Sequence, residues 1–232
     1  MQARSEALRD QPSDDRRTSE PDVAPTKRLP QAERRAQILR TATDFFADYG
    51  LTAQTRRLAE ACGVSQRLLY RYFPTKKDLL AAVYRQEILG AFKMVWFLEL
   101  QDRSKPVEER LTLFYKDYLN DVLNRKWLRL FLYASLADAE MAPDYISSVI
   151  KKLLVVIVEE TAAEKGVTLP NDVSALHEMG WTLHGSISHY AIRRHLYRSS
   201  SVLPEDKVVA MSVRTFLAGF QPMVQDYIDH LD

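Results

Sequence analysis

The chain has 232 residues, of which 46% are hydrophobic and 27% charged, a balance typical of a globular protein with a sizeable core. Its longest apolar runs are far too short to cross a membrane, and its polar N-terminus lacks the apolar segment of a secretory signal. Cys62 is the single cysteine, which excludes an intramolecular disulfide and suits a reducing compartment. We therefore expect a cytoplasmic protein that has no membrane partner.

The charges are unevenly distributed along the chain. Residues 1–28 carry six basic and six acidic groups, residues 29–77 carry nine and four, and residues 78–232 carry seventeen and twenty-one. The net charges of these stretches are 0, +5 and −4, which sum to the +1 of the whole chain. A basic stretch beside an acidic one predicts a local contact with a polyanion. We take the same bounds as the expected domain boundaries.

Residues 1–28 are polar and are interrupted by Pro12, Pro21 and Pro25. They show no apolar periodicity, so we expect a disordered tail. A solvated extension is favoured over an arm that contacts a nucleic acid, because the charges of the tail cancel.

Helical periodicity begins near residue 31. Apolar residues follow at the spacing of one helix face: Ile38, Ala42, Phe45, Phe46 and Tyr49. Gly50 ends this predicted helix.

Two short helices are predicted next, over residues 54–61 and 65–72, with a tight turn at Cys62-Gly63 between them. Ser65 is placed to cap the second helix, and Pro74 ends it. Thr75 and Asp78 then have the spacing of a capping box, and the helix that they open is expected to run to about Leu100.

Five more helical segments are expected, over residues 106–124, 126–138, 144–165, 172–198 and 204–230. Strand alternation is nowhere sustained. The predicted fold class is all-α, with an N-terminal three-helix unit joined by a linking helix to a larger helical domain.

The second short helix has two distinct faces. When Leu69 points inward, Arg67 and Arg71 lie roughly 160° away on the outer side of the helix. Arginines on such a face match the major groove of DNA, where a guanidinium pairs with guanine through two hydrogen bonds. The alternative is an ordinary solvated helix face, which these two arginines alone would favour.

Residues 34–80 resemble the N-terminal domain of the TetR family of transcriptional regulators, and the run Leu69-Tyr-Arg-Tyr-Phe-Pro-Thr-Lys76 closely matches its hallmark sequence. The resemblance covers about a fifth of the chain. It implies a helix-turn-helix that binds double-stranded DNA, the role of a repressor at a palindromic operator, a homodimer, and control by a small apolar effector.

The resemblance also implies which residues contact DNA. Base contacts are expected from Gln66, Arg67, Tyr70 and Arg71. Phosphate contacts are expected from Thr55, Arg56, Ser65, Tyr72 and Lys76. Two positions depart from the family pattern: Gln54 replaces the usual threonine cap, and Leu68 is bulkier than the residue commonly found there. The operator sequence therefore stays open.

For the helical domain, the resemblance implies a dimer face made by the last two helices. One apolar stripe comprises Val173, Leu176, Gly180, Leu183, Ile187 and Tyr190, and the other comprises Val209, Val213, Phe216, Phe220 and Met223. The small residues Gly180, Gly185, Ala218 and Gly219 would allow close helix approach. We expect these stripes to form the dimer contact, and the alternative is that both serve the core of one chain.

Aromatic and methionine side chains are dense enough to line a cavity for an apolar effector, but each one alone is more often plain core. They are Phe92, Met94, Trp96, Phe97, Phe114, Tyr115, Tyr118, Trp127, Phe131, Tyr133, Met141 and Trp181. No single ligand-binding residue is therefore assigned from the sequence.

We expect no catalytic residue, no cofactor and no metal. The sequence has no phosphate-binding glycine loop and no Gly-x-Ser-x-Gly motif, so an enzyme is disfavoured. His177, His184 and His195 share a helix face, but their spacing is too wide for one ion to be chelated on a single helix. A structural or adaptor dimer with a vestigial DNA-binding module is the alternative function.

Overall fold

The computed structural model describes residues 29–137, 141–197 and 203–230, and all of the regular structure in these ranges is helical. The tail over residues 1–28, predicted to be disordered, lies outside them. The helices are α1 (Gln31–Tyr49), α2 (Thr55–Ala61), α3 (Gln66–Tyr72), α4 (Lys76–Val83), α5 (Val95–Leu100), α6 (Val107–Asp121), α7 (Arg125–Leu136), α8 (Met141–Tyr145), α9 (Lys151–Lys165), α10 (Val173–His195) and α11 (Glu205–Asp229). Two π-helical segments, Tyr84–Leu89 and Ile146–Ile150, continue α4 and α8.

Helices α1, α2 and α3 form a compact N-terminal unit around a shared apolar core. Ile38, Phe46 and Leu58 are fully buried, and Leu69 is 1% exposed, as the sequence predicted. Tyr49 differs from the prediction, because its side chain is 57% exposed. It lies at the last turn of α1, where the chain turns away at Gly50, and its ring contacts the Phe45 ring and the Arg57 guanidinium.

The helix that follows is shorter than predicted. Thr75 and Asp78 form the predicted capping box, but the expected continuous helix to Leu100 is wrong, since the chain turns at Gly90 before α5 begins. A Cβ at Gly90 would lie 2.5 Å from the carbonyl oxygen of Gln86, so the turn requires glycine. The turn brings Phe92 and Trp96 into edge-to-face contact in the interior, and this burial compensates for the interrupted helix.

The larger domain is built around α9, α10 and α11, with α10 packed against both of the others and α11 against α6. Gly180 of α10 lies so close to α9 that a Cβ there would be 2.7 Å from the Cβ of Leu154. None of the helices in the described ranges is long and apolar enough to span a lipid bilayer.

The two apolar stripes belong to the interior of the chain. Buried members are Leu176, Gly180, Leu183, Ile187, Tyr190, Val209, Val213, Phe216 and Phe220. Met223 is half-buried, and Val173 is exposed. The expectation that these stripes form the dimer contact is therefore wrong, because most of the residues pack against α6, α9 and each other within one chain.

Candidate nucleic-acid interface

The turn between α2 and α3 holds the two helices in a fixed arrangement. Gly63 has a φ of +63°, the left-handed conformation that favours glycine. The amide of Val64 donates to the carbonyl of Ala59 at 3.0 Å, which closes the turn. The Ser65 hydroxyl then accepts a hydrogen bond from the amide of Leu68 at 3.1 Å, so it caps α3 as predicted. Gln54 begins α2 without a side-chain cap.

Helix α3 turns one face into the unit and the opposite face to solvent. Leu69 and Phe73 are 1% and 2% exposed. Gln66, Arg67, Tyr70 and Arg71, the four predicted base-contacting residues, are all exposed. The structure therefore brings these four side chains to one surface and leaves them free to meet a ligand from outside.

A small hydrogen-bonded cluster organises part of this surface. The Thr55 hydroxyl lies 3.1 Å from the Tyr70 hydroxyl, and the Gln66 side-chain amide donates to Thr55 Oγ1 at 3.3 Å. One residue of α2 thus positions two residues of α3. Such pre-ordering reduces the side-chain entropy lost when the surface binds a partner.

The surface is strongly cationic. Residues 54–77 contain six basic residues and one acidic residue, Glu60. Glu60 pairs with Arg56 at 3.3 Å, and both side chains are well exposed, so the pair contributes little stability and can open. An excess of positive charge on one side of the unit attracts a polyanion and raises its rate of encounter.

Lys76 and Tyr72 are held more firmly than the sequence implied. The Lys76 ammonium donates to the carbonyl of Ala53 at 2.8 Å and lies 6.0 Å from the centre of the Phe46 ring. Burial lowers the pKa of Lys76. Tyr72 is half-buried against the core. An ammonium has three donors, so Lys76 retains two for a phosphate while it ties the loop before α2 to α4.

A second set of contacts joins this unit to α7 of the larger domain. Arg129 donates to the carbonyls of Ala47, and of Asp48 at 2.9 Å, at the last turn of α1. Lys126 pairs with Asp44 at 2.8 Å. The Arg129 guanidinium also donates to the Tyr133 hydroxyl at 2.7 Å. The carboxyl end of α1 is therefore clamped to α7, an arrangement that sequence reasoning missed because its partners are some 80 residues apart.

The opposite side of α7 lines a cavity of about 120 Å³ in the larger domain. Four of the aromatic residues singled out in the sequence meet there: Tyr118, Trp127, Phe131 and Trp181. Tyr145, His184 and Ser188 also line it, and helical periodicity gave no sign of them as cavity residues. Met94, from the same sequence set, is instead 71% exposed. Helix α7 thus contacts the N-terminal unit on one side and a cavity on the other.

The three histidines considered as a set lie in different surroundings. His184 is 3% exposed, and its Nδ1 lies 3.4 Å from the Tyr115 hydroxyl. Burial lowers the pKa of His184 to about 4. His177 and His195 are half-buried, farther along α10 in opposite directions. Only His184 therefore belongs to the cavity.

The outer surface of α10 and α11 carries a groove of about 390 Å³ without charged side chains. Its lining includes Thr182, Ser186, Met211 and Thr215. Gly219 also lines it, and a Cβ added at Gly219 or at Gly185 of α10 would meet nothing within 4 Å. Unlike Gly180, these two glycines are not required by packing inside the chain.

Comparison with known proteins agrees with these observations. Residues 38–83 match the family model for bacterial regulatory proteins of the tetR family. A 62-residue segment is 39% identical to the HTH-type transcriptional activator FasR of Mycolicibacterium smegmatis, and covers 26% of this chain and 28% of that protein. A 100-residue segment is 29% identical to the HTH-type transcriptional repressor KstR2 of the same organism, and covers 41% of this chain and 47% of that protein. The matched segments thus span less than half the length of either relative.

For the larger domain, the comparison with solved structures rests on the fold. The crystal structure of a TetR-like transcriptional regulator from Rhodococcus sp. RHA1 superposes with a TM-score of 0.61 at 20% sequence identity, over 83% of this chain and 97% of that one. A likeness at this identity concerns the fold, and it extends through the helices that follow α4. Residues 38–83 therefore carry a domain of the tetR-type regulatory proteins, and the chain as a whole shares the fold of this solved structure.

Proposed function

We propose that this protein is a homodimeric transcriptional repressor whose α3 helices read a palindromic operator, and that a small ligand in the larger domain releases it. The observation that carries the proposal is the outer face of α3. It presents Gln66, Arg67, Tyr70 and Arg71 on a cationic surface, while Leu69 anchors the helix from behind.

This surface has the chemistry of a major-groove reader. Arg67 and Arg71 can each donate two hydrogen bonds to guanine, and the Gln66 amide matches adenine. The proposed phosphate contacts come from residues around α2 and the two ends of α3, and they would fix the position of the protein along the duplex. These residues are Thr55, Arg56, Ser65, Tyr72 and Lys76.

A dimer is proposed because a single helix-turn-helix unit gains too few contacts for tight, specific binding. Two such helices must lie about 34 Å apart to enter successive major grooves on one face of the DNA. The uncharged groove of α10 and α11 supports self-association there, because a two-fold contact places each residue opposite the same surface of its partner, and like charges would repel. The last two helices thus remain the proposed dimer element, through their outer face.

We propose that a bound ligand changes the affinity for DNA by moving α7. A molecule that enters the cavity beside Trp127 and Phe131 would press on one side of α7. The other side is hydrogen-bonded to the end of α1 through Arg129. A shift of α7 would therefore move the N-terminal unit as a body and change the separation of the two α3 helices, which weakens binding at the second half-site.

The test is selection of bound duplexes from a random DNA pool by the full chain, followed by fluorescence anisotropy on the consensus at several salt concentrations. We expect a palindromic consensus, and an affinity that falls steeply as salt rises. Binding indifferent to sequence would contradict the proposal and support the adaptor function instead. A consensus without two-fold symmetry would refute the dimeric part. A reporter gene behind the selected operator then distinguishes repression from activation.

A further inference from the structure

The cavity beside α7 has an uncharged lining. Its residues are Tyr118, Leu123, Trp127, Leu128, Phe131, Leu132, Tyr145, Ile146, Ile150, Trp181, His184, Ser188 and Ile192. His184 is the titratable base among them, and burial keeps its imidazole neutral near pH 7. An ionised ligand would have to leave water without a counter-charge here, at a cost of several kcal/mol or more. The lining therefore selects against ions.

One polar group in this lining has no partner. The indole N–H of Trp127 is buried and makes no hydrogen bond within the described part of the chain. The residue is 5% exposed, and its ring stacks on Phe131 at 4.7 Å between centroids. A buried donor that has no acceptor is destabilising, because it has lost its hydrogen bonds to water without replacement. Indole nitrogen can only donate, so its missing partner must be an acceptor.

Two pairs of polar side chains lie around the cavity. The Tyr118 and Tyr145 hydroxyls lie 3.3 Å apart, and His184 Nδ1 is beside the Tyr115 hydroxyl. Among the described residues, Trp127 Nε1 is the one fully buried side-chain nitrogen or oxygen of this lining that has no hydrogen-bond partner. The surrounding walls are aromatic, and Tyr145 meets the Trp127 ring edge-on at 5.3 Å.

We propose that this cavity binds a neutral, single-ring aromatic molecule with one hydrogen-bond acceptor, and that the acceptor takes the indole N–H of Trp127. Its volume of about 120 Å³ is of the same order as the roughly 150 Å³ apolar cavity that holds benzene in another protein, so it limits the ligand to one ring. Aromatic walls favour a ring that can stack or meet them edge-on. Trp127 is thereby the specificity-determining residue. The regulatory consequence, though not the binding itself, rests on the function proposed above.

The experiment uses three probes of similar size on the full chain: acetophenone, ethylbenzene and benzoate. Acetophenone has a neutral acceptor, ethylbenzene has none, and benzoate carries a charge. Two-dimensional ¹H–¹⁵N spectra report the indole N–H groups of Trp96, Trp127 and Trp181 separately. We expect acetophenone to bind and to shift the Trp127 indole proton downfield. Ethylbenzene should bind more weakly without that shift, and benzoate should not bind.

The key variant is Trp127→Phe, which keeps an aromatic ring and removes the donor. We expect acetophenone affinity to fall about 2- to 10-fold, the value of one hydrogen bond, while ethylbenzene affinity stays unchanged. Trp96→Phe is the matched control, because Trp96 is also buried among aromatic rings but does not line the cavity. Its affinities for both probes should equal those of the unmodified chain.

Several outcomes would overturn the inference: no binding of acetophenone, equal affinity for acetophenone and ethylbenzene, tighter binding of benzoate, or an unaltered acetophenone affinity in Trp127→Phe. Operator binding is measured in parallel to keep the two proposals apart. Operator binding without probe binding refutes this inference and leaves DNA recognition standing. Probe binding without any change in operator affinity supports this inference and refutes the proposed ligand release.

Discussion

The N-terminal unit and the larger domain place their polar groups in opposite ways. In the unit, charges lie on the surface of α2 and α3, and the buried polar side chain Thr43 donates to a carbonyl of its own helix. The larger domain buries Arg110 and Glu160 as an ion pair at 2.9 Å and His184 within an aromatic wall. Its outer groove is uncharged.

This contrast separates two kinds of recognition. A polyanion is met by exposed, long, cationic side chains, whose attraction reaches through solvent. For the ligand proposed above, the deciding contact is instead a single buried donor in an uncharged cavity, where a hydrogen bond is stronger than in water. We therefore expect that removal of exposed polar side chains from the unit lowers its affinity for DNA and leaves its stability unchanged. Changes to the buried polar side chains of the larger domain should instead change its stability.

The largest effect is expected from the double variant Arg67→Ala/Arg71→Ala. Each bidentate arginine–guanine contact contributes about 1–3 kcal/mol, so operator affinity should fall roughly 100-fold or more. The thermal midpoint should change little, since both residues are exposed. Fluorescence anisotropy and thermal denaturation measure the two quantities. Arg85→Ala, which removes an exposed arginine outside α2 and α3, is the control. An equal loss of operator affinity in that variant would show that the effect is not specific to the surface of α3.

His184 should give the next largest effect, on stability against pH. Its pKa is lowered from 6.5 to about 4 in the folded chain, so the unfolded chain binds the proton first as pH falls. The contribution of the neutral His184 to the free energy of unfolding is complete above pH 6.5. It is lost progressively as the pH falls to 4, by roughly 3 kcal/mol. Urea unfolding across this range, compared with His184→Gln, isolates the effect. If the free energy of unfolding depended on pH in the same way in both proteins, the lowered pKa of His184 would be refuted.

Gly219→Glu tests the outer groove. Space is open at this position, so the single chain should fold. In a two-fold dimer each new carboxylate would be desolvated in the contact near its symmetry mate, and we expect operator affinity to fall roughly tenfold as the dimer dissociates. Analytical ultracentrifugation measures the dissociation. Ala163→Glu, at an exposed position of α9, is the matched control. A dimer that persists in Gly219→Glu would place the contact elsewhere.

The smallest effect concerns Tyr84, whose hydroxyl is buried without a partner in the described ranges. Burial raises its pKa to about 12. Tyr84→Phe removes an unpaired polar group, so the free energy of unfolding should rise by about 1 kcal/mol. Tyr190→Phe is the opposite case, because that hydroxyl donates to the carbonyl of Leu203 at 2.8 Å and its loss should destabilise. Chemical denaturation measures the free energy of unfolding of both variants. If both were less stable than the unmodified chain, the Tyr84 hydroxyl would have a hydrogen-bond partner.

Much of the N-terminal unit could be predicted from the sequence. The cap at Ser65, the positive φ of Gly63, the capping box of Thr75 and Asp78 and the inward position of Leu69 all rest on local rules that operate over one or two helical turns. Tyr49 lies on the predicted face of α1 and is nevertheless exposed, because periodicity does not show where neighbouring elements stop covering a face.

The larger domain shows what only the tertiary structure decided. The stripe through Leu183 and Ile187 had the right period, yet sequence could not show whether α9 or a second chain covers it. The clamp from Arg129 to α1 and the cavity around Trp127 join residues far apart along the chain. Amino-acid order determined each helix and its apolar face through short-range sterics, capping and periodicity. The choice of partner for each face depends on how all the helices share one interior, and local rules do not encode it.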